Sequence, residues 1–331
     1  MLRLLLSRTR SLITAVALVG VVCSLPGCVA TGSRSDANAG GASRVIEHRY
    51  GSTEISSTPQ RVVALGITDS DTLLALGVTP IALRPWTGVD TVGPWAANTL
   101  GDAEPTVLSS TEEVSVEDIA ALEPDLIVDV SDAVSKKRYD LLSEVADTVV
   151  RPEGYPDYGV PWEVSTRLIG EAVGKPEQAA TLIDEVKQRL DDARAEHPEL
   201  QGKTGVVVLP NPEGGWWPYT PVDARGQFLA DLGVELPSAL ADLDDGSSFY
   251  VDVSEEQTDL LEADLVVVIE QPGQRRLTEG SELFQNLDAA KQGRVVYVPS
   301  KPLGYAMSYG TVLSIPWTIE ALAPELAAKT S

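Results

Sequence analysis

The feature that most constrains this chain is a rhythm that stops and restarts. Short apolar runs alternate with helical patterns between residues 61 and 150, lapse between 162 and 197, and alternate again from 206 to 298. The runs at 61–65, 126–130, 206–209 and 265–269 are continuous and rich in β-branched residues, as strands buried on both faces are. Residues 78–83, 148–150 and 293–298 predict further strands. Helices fit the intervals. Thr68 stands where it can cap a helix through Leu73, Leu74 and Leu76, with Gly77 to stop it. Ser115 opens a second, with Ile119 and Leu122 on one face. Residues 224–232, 255–262 and 312–326 predict three more, the last limited by Pro316 and Pro324. Near the start, the segments from Val45 to Tyr50 and from Thr53 to Ile55 flank Gly51-Ser52 as the arms of a hairpin would. Strands alternating with helices at these lengths predict parallel sheets with helices on both faces.

The lapse at 162–197 is itself helical. Trp162 to Val173 reads as one helix, Gly174-Lys175-Pro176 interrupts it, and a long helix follows from Glu177 to about Ala195. In it Ala180, Ile183, Val186, Leu190 and Ala193 share a face, and Pro176 is favourable in a first helical turn. The two flanking regions echo each other. Glu117-Asp118-Ile119-Ala120-Ala121-Leu122-Glu123-Pro124-Asp125-Leu126-Ile127-Val128 resembles Glu256-Gln257-Thr258-Asp259-Leu260-Leu261-Glu262-Ala263-Asp264-Leu265-Val266-Val267. The simplest arrangement is two α/β lobes, 44–175 and 198–331, joined by one long helix at 176–197.

Residues 1–27 hold Arg3, Arg8 and Arg10, then an apolar run from Leu12 to Cys23, then Leu25-Pro26-Gly27 before Cys28. A charged start, a short apolar stretch and small residues before a cut read as a secretory signal. The run falls short of the roughly 20 residues a bilayer span needs. The four positions ending at Cys28 resemble the lipobox of bacterial lipoproteins, with Pro26 where a small or β-branched residue is usual. That resemblance implies a diacylated Cys28 as first residue of the mature chain, anchored at the extracytoplasmic face of the cell membrane. Two acyl chains hold stably where one holds weakly. Residues 28–43 are small and polar and predict a flexible tether.

Composition excludes several functions. The formal charge is −24, and removing the three leader Arg makes it −27. No basic stripe offsets this, so nucleic acid is not an expected partner. Cys23 leaves with the leader and Cys28 takes the lipid, so no disulfide remains and packing must supply the stability. The only imidazoles are His48, in the hairpin, and His197, at a helix end. That argues against a bare transition-metal site and against a Ser-His-Asp hydrolase. No G-x-S-x-G elbow, phosphate loop or dinucleotide fingerprint occurs.

Three stretches carry a family resemblance. They are Pro59-Gln60-Arg61-Val62-Val63-Ala64-Leu65 with 71–78, then 116–128, then Phe228-Leu229-Ala230-Asp231-Leu232-Gly233 followed by Val253-Ser254-Glu255-Glu256-Gln257. In this order, behind a lipobox, the chain resembles the helical-backbone substrate-binding proteins of ABC importers, the ferric-siderophore and cobalamin class. The resemblance covers 44–331. It implies the class III periplasmic-binding-protein fold, two Rossmann-like lobes joined by one helix, and a receptor that hands its ligand to a permease and its ATPase without chemistry or a cofactor of its own. It also implies that Glu117 and Glu256, one on each lobe, meet Arg residues of the permease. Charge-assisted pairs there would set the docking register. An acid in a first helical turn also favours the helix dipole by about 0.3–1 kcal/mol, and both roles are compatible.

Ligands of open α/β sheets bind at the carboxyl ends of the strands. Many aromatics sit in loops after strands, and the expected ligand-binding residues are Arg84, Trp86, Trp95, Tyr158, Trp216, Trp217, Tyr219, Arg275, Tyr305 and Tyr309. Rings suit the organic rim of an Fe(III)-siderophore, and guanidinium groups suit its oxygens. Its metal arrives already wrapped, so no metal ligands are needed from the protein. Arg225 is expected to start a helix and pair with a surface acid, and Trp317 to belong to the core. Two other readings stay open. The same fold can take haem or cobalamin, with Tyr available to ligate haem. The chain can also be an envelope enzyme or an adhesion lipoprotein, although no base and nucleophile stand together.

Overall fold

A computed structural model describes residues 43–330 apart from residue 247. The leader, Cys28 and the tether up to residue 42 lie outside the described residues. The chain opens with β1 (Arg44–His48) and β2 (Gly51–Ile55), an antiparallel hairpin in which Arg44 faces Ile55 and His48 faces Gly51. Gly51, at φ +124°, makes the turn possible. The first α/β region follows: β3 (Val62–Ala64), α1 (Asp69–Ala75), β4 (Ala82–Leu83), α2 (Pro94–Leu100), β5 (Thr106–Val107), α3 (Val116–Ala120), β6 (Leu126–Asp129), α4 (Lys136–Ser143) and β7 (Asp147–Val150). Its five strands are all parallel, in the order β5-β4-β3-β6-β7. The chain leaves β3 to one side and returns to the other, so the sheet's switch point lies between β3 and β6.

Two helices come next, α5 (Trp162–Ala172) and α6 (Pro176–Glu196). The second α/β region holds β8 (Gly205–Pro210), β9 (Trp216–Tyr219), α7 (Ala224–Asp231), α8 (Ser238–Ala241), a 3-10 helix (Glu255–Leu261), β10 (Leu265–Glu270), α9 (Arg275–Gly280), α10 (Glu282–Asn286), α11 (Asp288–Lys291), β11 (Val295–Pro299), α12 (Tyr305–Tyr309) and α13 (Ser314–Thr330). Its sheet runs β11-β10-β8-β9, with β9 antiparallel to β8.

The strands form where the apolar runs predict, and Val63, Ile127, Val207 and Val267 are fully buried within them. Ser115 caps α3 as expected, its hydroxyl accepting from the Asp118 N–H at 3.0 Å. Thr68 precedes α1, but its hydroxyl makes no cap bond. Instead its N–H donates to Ser131 Oγ across the switch point. The expected strand at 78–83 shrinks to two residues, and 255–262 winds as a 3-10 helix. The second sheet is mixed, not wholly parallel: residues 216–219, expected as a loop, form β9. Pro218 is tolerated because β9 is an edge strand.

α6 runs through three apolar environments in turn. Ala179 packs in the core of the first sheet, and Val186 and Leu190 meet Val312 and Ile315. Ala193 joins the core of the second sheet. The buried face begins at Ala179 rather than Ala180, because a Cβ on Gly170 of α5 would come within 2.4 Å of the Ala179 methyl. The absence of that Cβ lets the two helices touch. The halves also pack directly: Leu74 and Trp95 from the first meet Ala306 and Tyr309 from the second, with Trp317 against them.

Candidate functional site

A cavity of about 730 Å³ opens between the halves. Ile67, Thr68 and Ser131 form its floor on one side. They stand just past the carboxyl ends of β3 and β6, at the switch point, where sheets of this kind bind ligands. Tyr155, Tyr158 and Trp162 close one wall, and Pro221, Arg225, Phe249 and Tyr309 close the other. A smaller space of about 280 Å³ adjoins it, sharing Trp86, Arg225 and Ser308 and reaching Leu209 and Ile269 at the ends of β8 and β10.

Arg225 is the best-defined polar group of the site. Its Nε and Nη2 donate to Asp223 Oδ1 and Oδ2, each at 2.7 Å. The guanidinium carbon lies 3.5 Å from the centroid of the Tyr219 ring. Asp223 also caps α7 by accepting from the Arg225 N–H at 2.8 Å. Burial works against the Arg225 charge, but the Asp223 carboxylate more than offsets it and raises the pKa above the ordinary value. Nη1 is not engaged by Asp223, and the guanidinium faces both cavities. A planar cation clamped this way loses little freedom when it meets a ligand oxygen.

The ring system spans the halves. Trp86 follows β4, and its ring lies 5.4 Å from that of Tyr309 and 6.4 Å from that of Tyr305. The Trp86 N–H donates to the Tyr309 hydroxyl at 3.1 Å. Burial pushes the Tyr309 phenol well up. Across the opening, Tyr158 meets Phe249 edge to face at 6.5 Å. Tyr158 is 51% exposed and sits in the left-handed region at φ +60°, a strained conformation for a tyrosine.

Of the expected ligand-binding residues, Trp86, Tyr158 and Tyr309 line the main cavity and Tyr305 lines the adjoining one. The others stand elsewhere. Trp95 is buried, its indole N–H donating to Asp71 Oδ2 at 2.6 Å, and it backs Tyr309 edge-on at 5.0 Å. Trp216 is buried in β9, donating to Thr258 Oγ1 at 2.8 Å. Tyr219 is a platform beneath Arg225, and Trp217 packs on Tyr250 at 5.6 Å outside the cavity lining. Arg84 turns to an ion pair with Asp132. Arg275 pairs with Glu270 at 2.6 Å over the Tyr297 ring. Arg225 does start a helix and pair with an acid, as expected, but that acid is buried and the pair faces the cavity. The spacing of Tyr219, Asp223 and Arg225 around a helix start was the available signal. Phe249 had none.

Behind the floor lie buried acids. Asp69 accepts from the Val130 and Ser131 N–H groups at 2.7 and 3.2 Å, and burial raises it to about 6 despite them. Asp71 is likewise raised to about 6 by burial, while Trp95 and Thr311 donate to its Oδ2. Glu117 and Glu256 are exposed, in the first turn of α3 and of the 3-10 helix. Neither enters an ion pair among the described residues. Glu113 is engaged, pairing with Arg138 at 2.6 Å. The 3-10 helix follows Val253, which bridges to Trp216 opposite Pro210. Glu256 thus sits toward the carboxyl end of β8, as Glu117, at the start of α3, sits toward the carboxyl ends of its own sheet.

Known proteins share this architecture. A periplasmic solute-binding protein from Mycobacterium smegmatis superposes with a TM-score of 0.78 at 32% identity, covering 87% of this chain and 99% of that one. The Fe(3+)-citrate-binding protein YfmC of Bacillus subtilis (strain 168) is 26% identical over 76% of this chain and 77% of its own length. The probable siderophore-binding lipoprotein YfiY of the same organism is 27% identical over 82% and 85%. Residues 62–302 match the family described as periplasmic binding protein. With the two halves, the helix between them and most of the length accounted for, this chain belongs to the periplasmic binding protein family.

Proposed function

We propose that this protein is an extracytoplasmic receptor that binds a ferric siderophore between its halves and delivers it to an ABC importer. The observation that carries this reading is the cavity of about 730 Å³ in which rings from both halves surround one clamped guanidinium, Arg225. A space of that size takes a bulky guest, rings cover its organic rim, and Arg225 meets an oxygen. The relatives named for ferric citrate and for siderophores support the same class of cargo. Haem ligated by tyrosinate fits less well, since burial of Tyr309 disfavours the ionised phenol. Lipid attachment at Cys28 would keep the receptor beside its permease, with Glu117 and Glu256 as docking points.

Tryptophan fluorescence tests the reading, because Trp86 and Trp162 line the cavity. Ferric hydroxamate, catecholate and citrate complexes are titrated into the protein, with haem and cobalamin as comparators. Saturable quenching by a ferric chelate is expected, and Arg225→Ala should weaken it by about tenfold or more, roughly 1.4 kcal/mol. Quenching by haem or cobalamin alone overturns the reading.

A further inference from the structure

We infer that the cargo is an uncharged ferric chelate of the trihydroxamate type, and that the cavity selects against polyanionic ferric complexes. This rests on the reading that a ferric siderophore fills the cavity, and it narrows that reading by charge.

Among the described residues that line the main cavity, only Glu163, Asp223 and Arg225 are charged. Asp223 and Arg225 cancel each other through two short hydrogen bonds. Glu163 faces Lys187 at 3.9 Å, a long contact that at best balances it. The adjoining space adds no acid or base of its own. Lys301 stands near its rim, where it donates to the Gly88 carbonyl at 2.6 Å and lies 5.5 Å from the centre of the Tyr305 ring. Arg84 is spent on Asp132. One layer behind the floor, Asp69 and Asp71 are ionised above about pH 6. Asp242, Asp244 and Asp245 immediately precede Gly246, which lines the cavity. The whole chain carries −24. Among the described residues that line the two spaces, two acids, Glu163 and Asp223, stand against one base, Arg225, and Lys301 adds a cation only at the rim.

Three singly charged hydroxamates cancel Fe(III). Three doubly charged catecholates leave a triple negative charge, and citrate complexes are also anionic. Moving such an anion out of water requires compensating cations in the wall, and here the single guanidinium is already neutralised. A neutral chelate avoids that cost and still offers polarised oxygens to Arg225 Nη1 and to the Thr68 hydroxyl, which makes no cap bond to α1. The inference separates this chain from its relative named for ferric citrate.

The test is a set of titrations of the full-length protein in neutral detergent at pH 7.5, at low and high salt. The probes are a ferric trihydroxamate, a ferric tris-catecholate and ferric citrate. The trihydroxamate should bind at least about 100-fold more tightly than either anion, and its affinity should change less than about twofold with salt. Glu163→Gln removes one negative charge from the cavity wall, and adding Asp223→Asn leaves Arg225 without its counter-charge, so the preference should narrow by about tenfold in the double variant. Glu163→Gln guards against a folding defect at the α7 cap. An anion binding wild type as tightly as the trihydroxamate overturns the inference and leaves the receptor reading intact. So does an unchanged preference in folded variants. Binding of no ferric chelate at all removes the receptor reading and this inference with it.

Discussion

Asp71 shows how much one buried carboxyl does here. It joins α1 of the first half to Thr311 of the second through a 2.7 Å hydrogen bond, and it fixes the Trp95 indole that backs Tyr309. Its other oxygen is buried without a partner. Burial raises its pKa from 3.8 to about 6. Between those values the folded protein holds a proton that the unfolded chain has lost, so stability rises as pH falls through that window. Asp71→Asn removes this share of the slope. Denaturant unfolding from pH 7.5 to 5 should show a pH dependence flatter by on the order of 1–3 kcal/mol than wild type. An unchanged slope would show that Asp71 is not the titrating group. Asp69 contributes a similar slope to both proteins and drops out of the difference.

Single residues were unevenly legible in the sequence. Trp86, Tyr158, Tyr305 and Tyr309, expected at the site because loop rings after strands have few other uses, line the two cavities. Trp95 and Trp216 carry the same signal, yet each is drawn inward by a buried acceptor, Asp71 or Thr258, that lies far away in sequence. Arg84 and Arg275 stand outside the cavity lining for the same reason, their acids Asp132 and Glu270 being visible only once folded.

At the scale of elements, the start of α7 is the part that places the site. Gly226 follows Arg225, and a Cβ there would come within 2.1 Å of the Thr220 carbonyl oxygen, which is backbone and cannot swing aside. Gly226→Ala should push the first turn of α7 off its seat. Stability should fall by about 1–3 kcal/mol, and siderophore affinity should fall with it. Gly280→Ala at the end of α9 meets nothing within 4 Å and should leave both unchanged. Calorimetry with fluorescence titration checks the pair. Equal behaviour of the two variants would show that the close approach at Gly226 does not matter.

Periodicity exposed α6 almost to the residue, because twenty-one residues of one pattern outweigh local noise. It failed at β9, where Gly214-Gly215 and Pro218 read as a loop. Only the pairing of Leu209 with Trp217 and the bridge from Val253 make that segment a strand. Helices α2 and α4 were also missed, being short and held by tertiary contacts more than by propensity.

At the scale of the molecule, the two acids at the strand-carboxyl sides make a separable prediction. Glu117→Lys combined with Glu256→Lys should cut uptake of the iron complex at least about tenfold while leaving its affinity in solution intact. Uptake assays beside fluorescence titration decide it, and undiminished uptake would remove these residues from the dock. The fold class was legible because two α/β patterns around one long helix admit few arrangements. The wall of the cavity was not, because it is assembled from loops of both halves.

The spine of α6 has a kinetic corollary. Val186 and Leu190 are pinned by Val312 and Ile315 midway along it, and Trp95 and Tyr309 lock the halves a second time. On the receptor reading proposed above, a body braced at two levels would keep much the same silhouette whether vacant or laden, and the two forms would then compete for one berth on the importer.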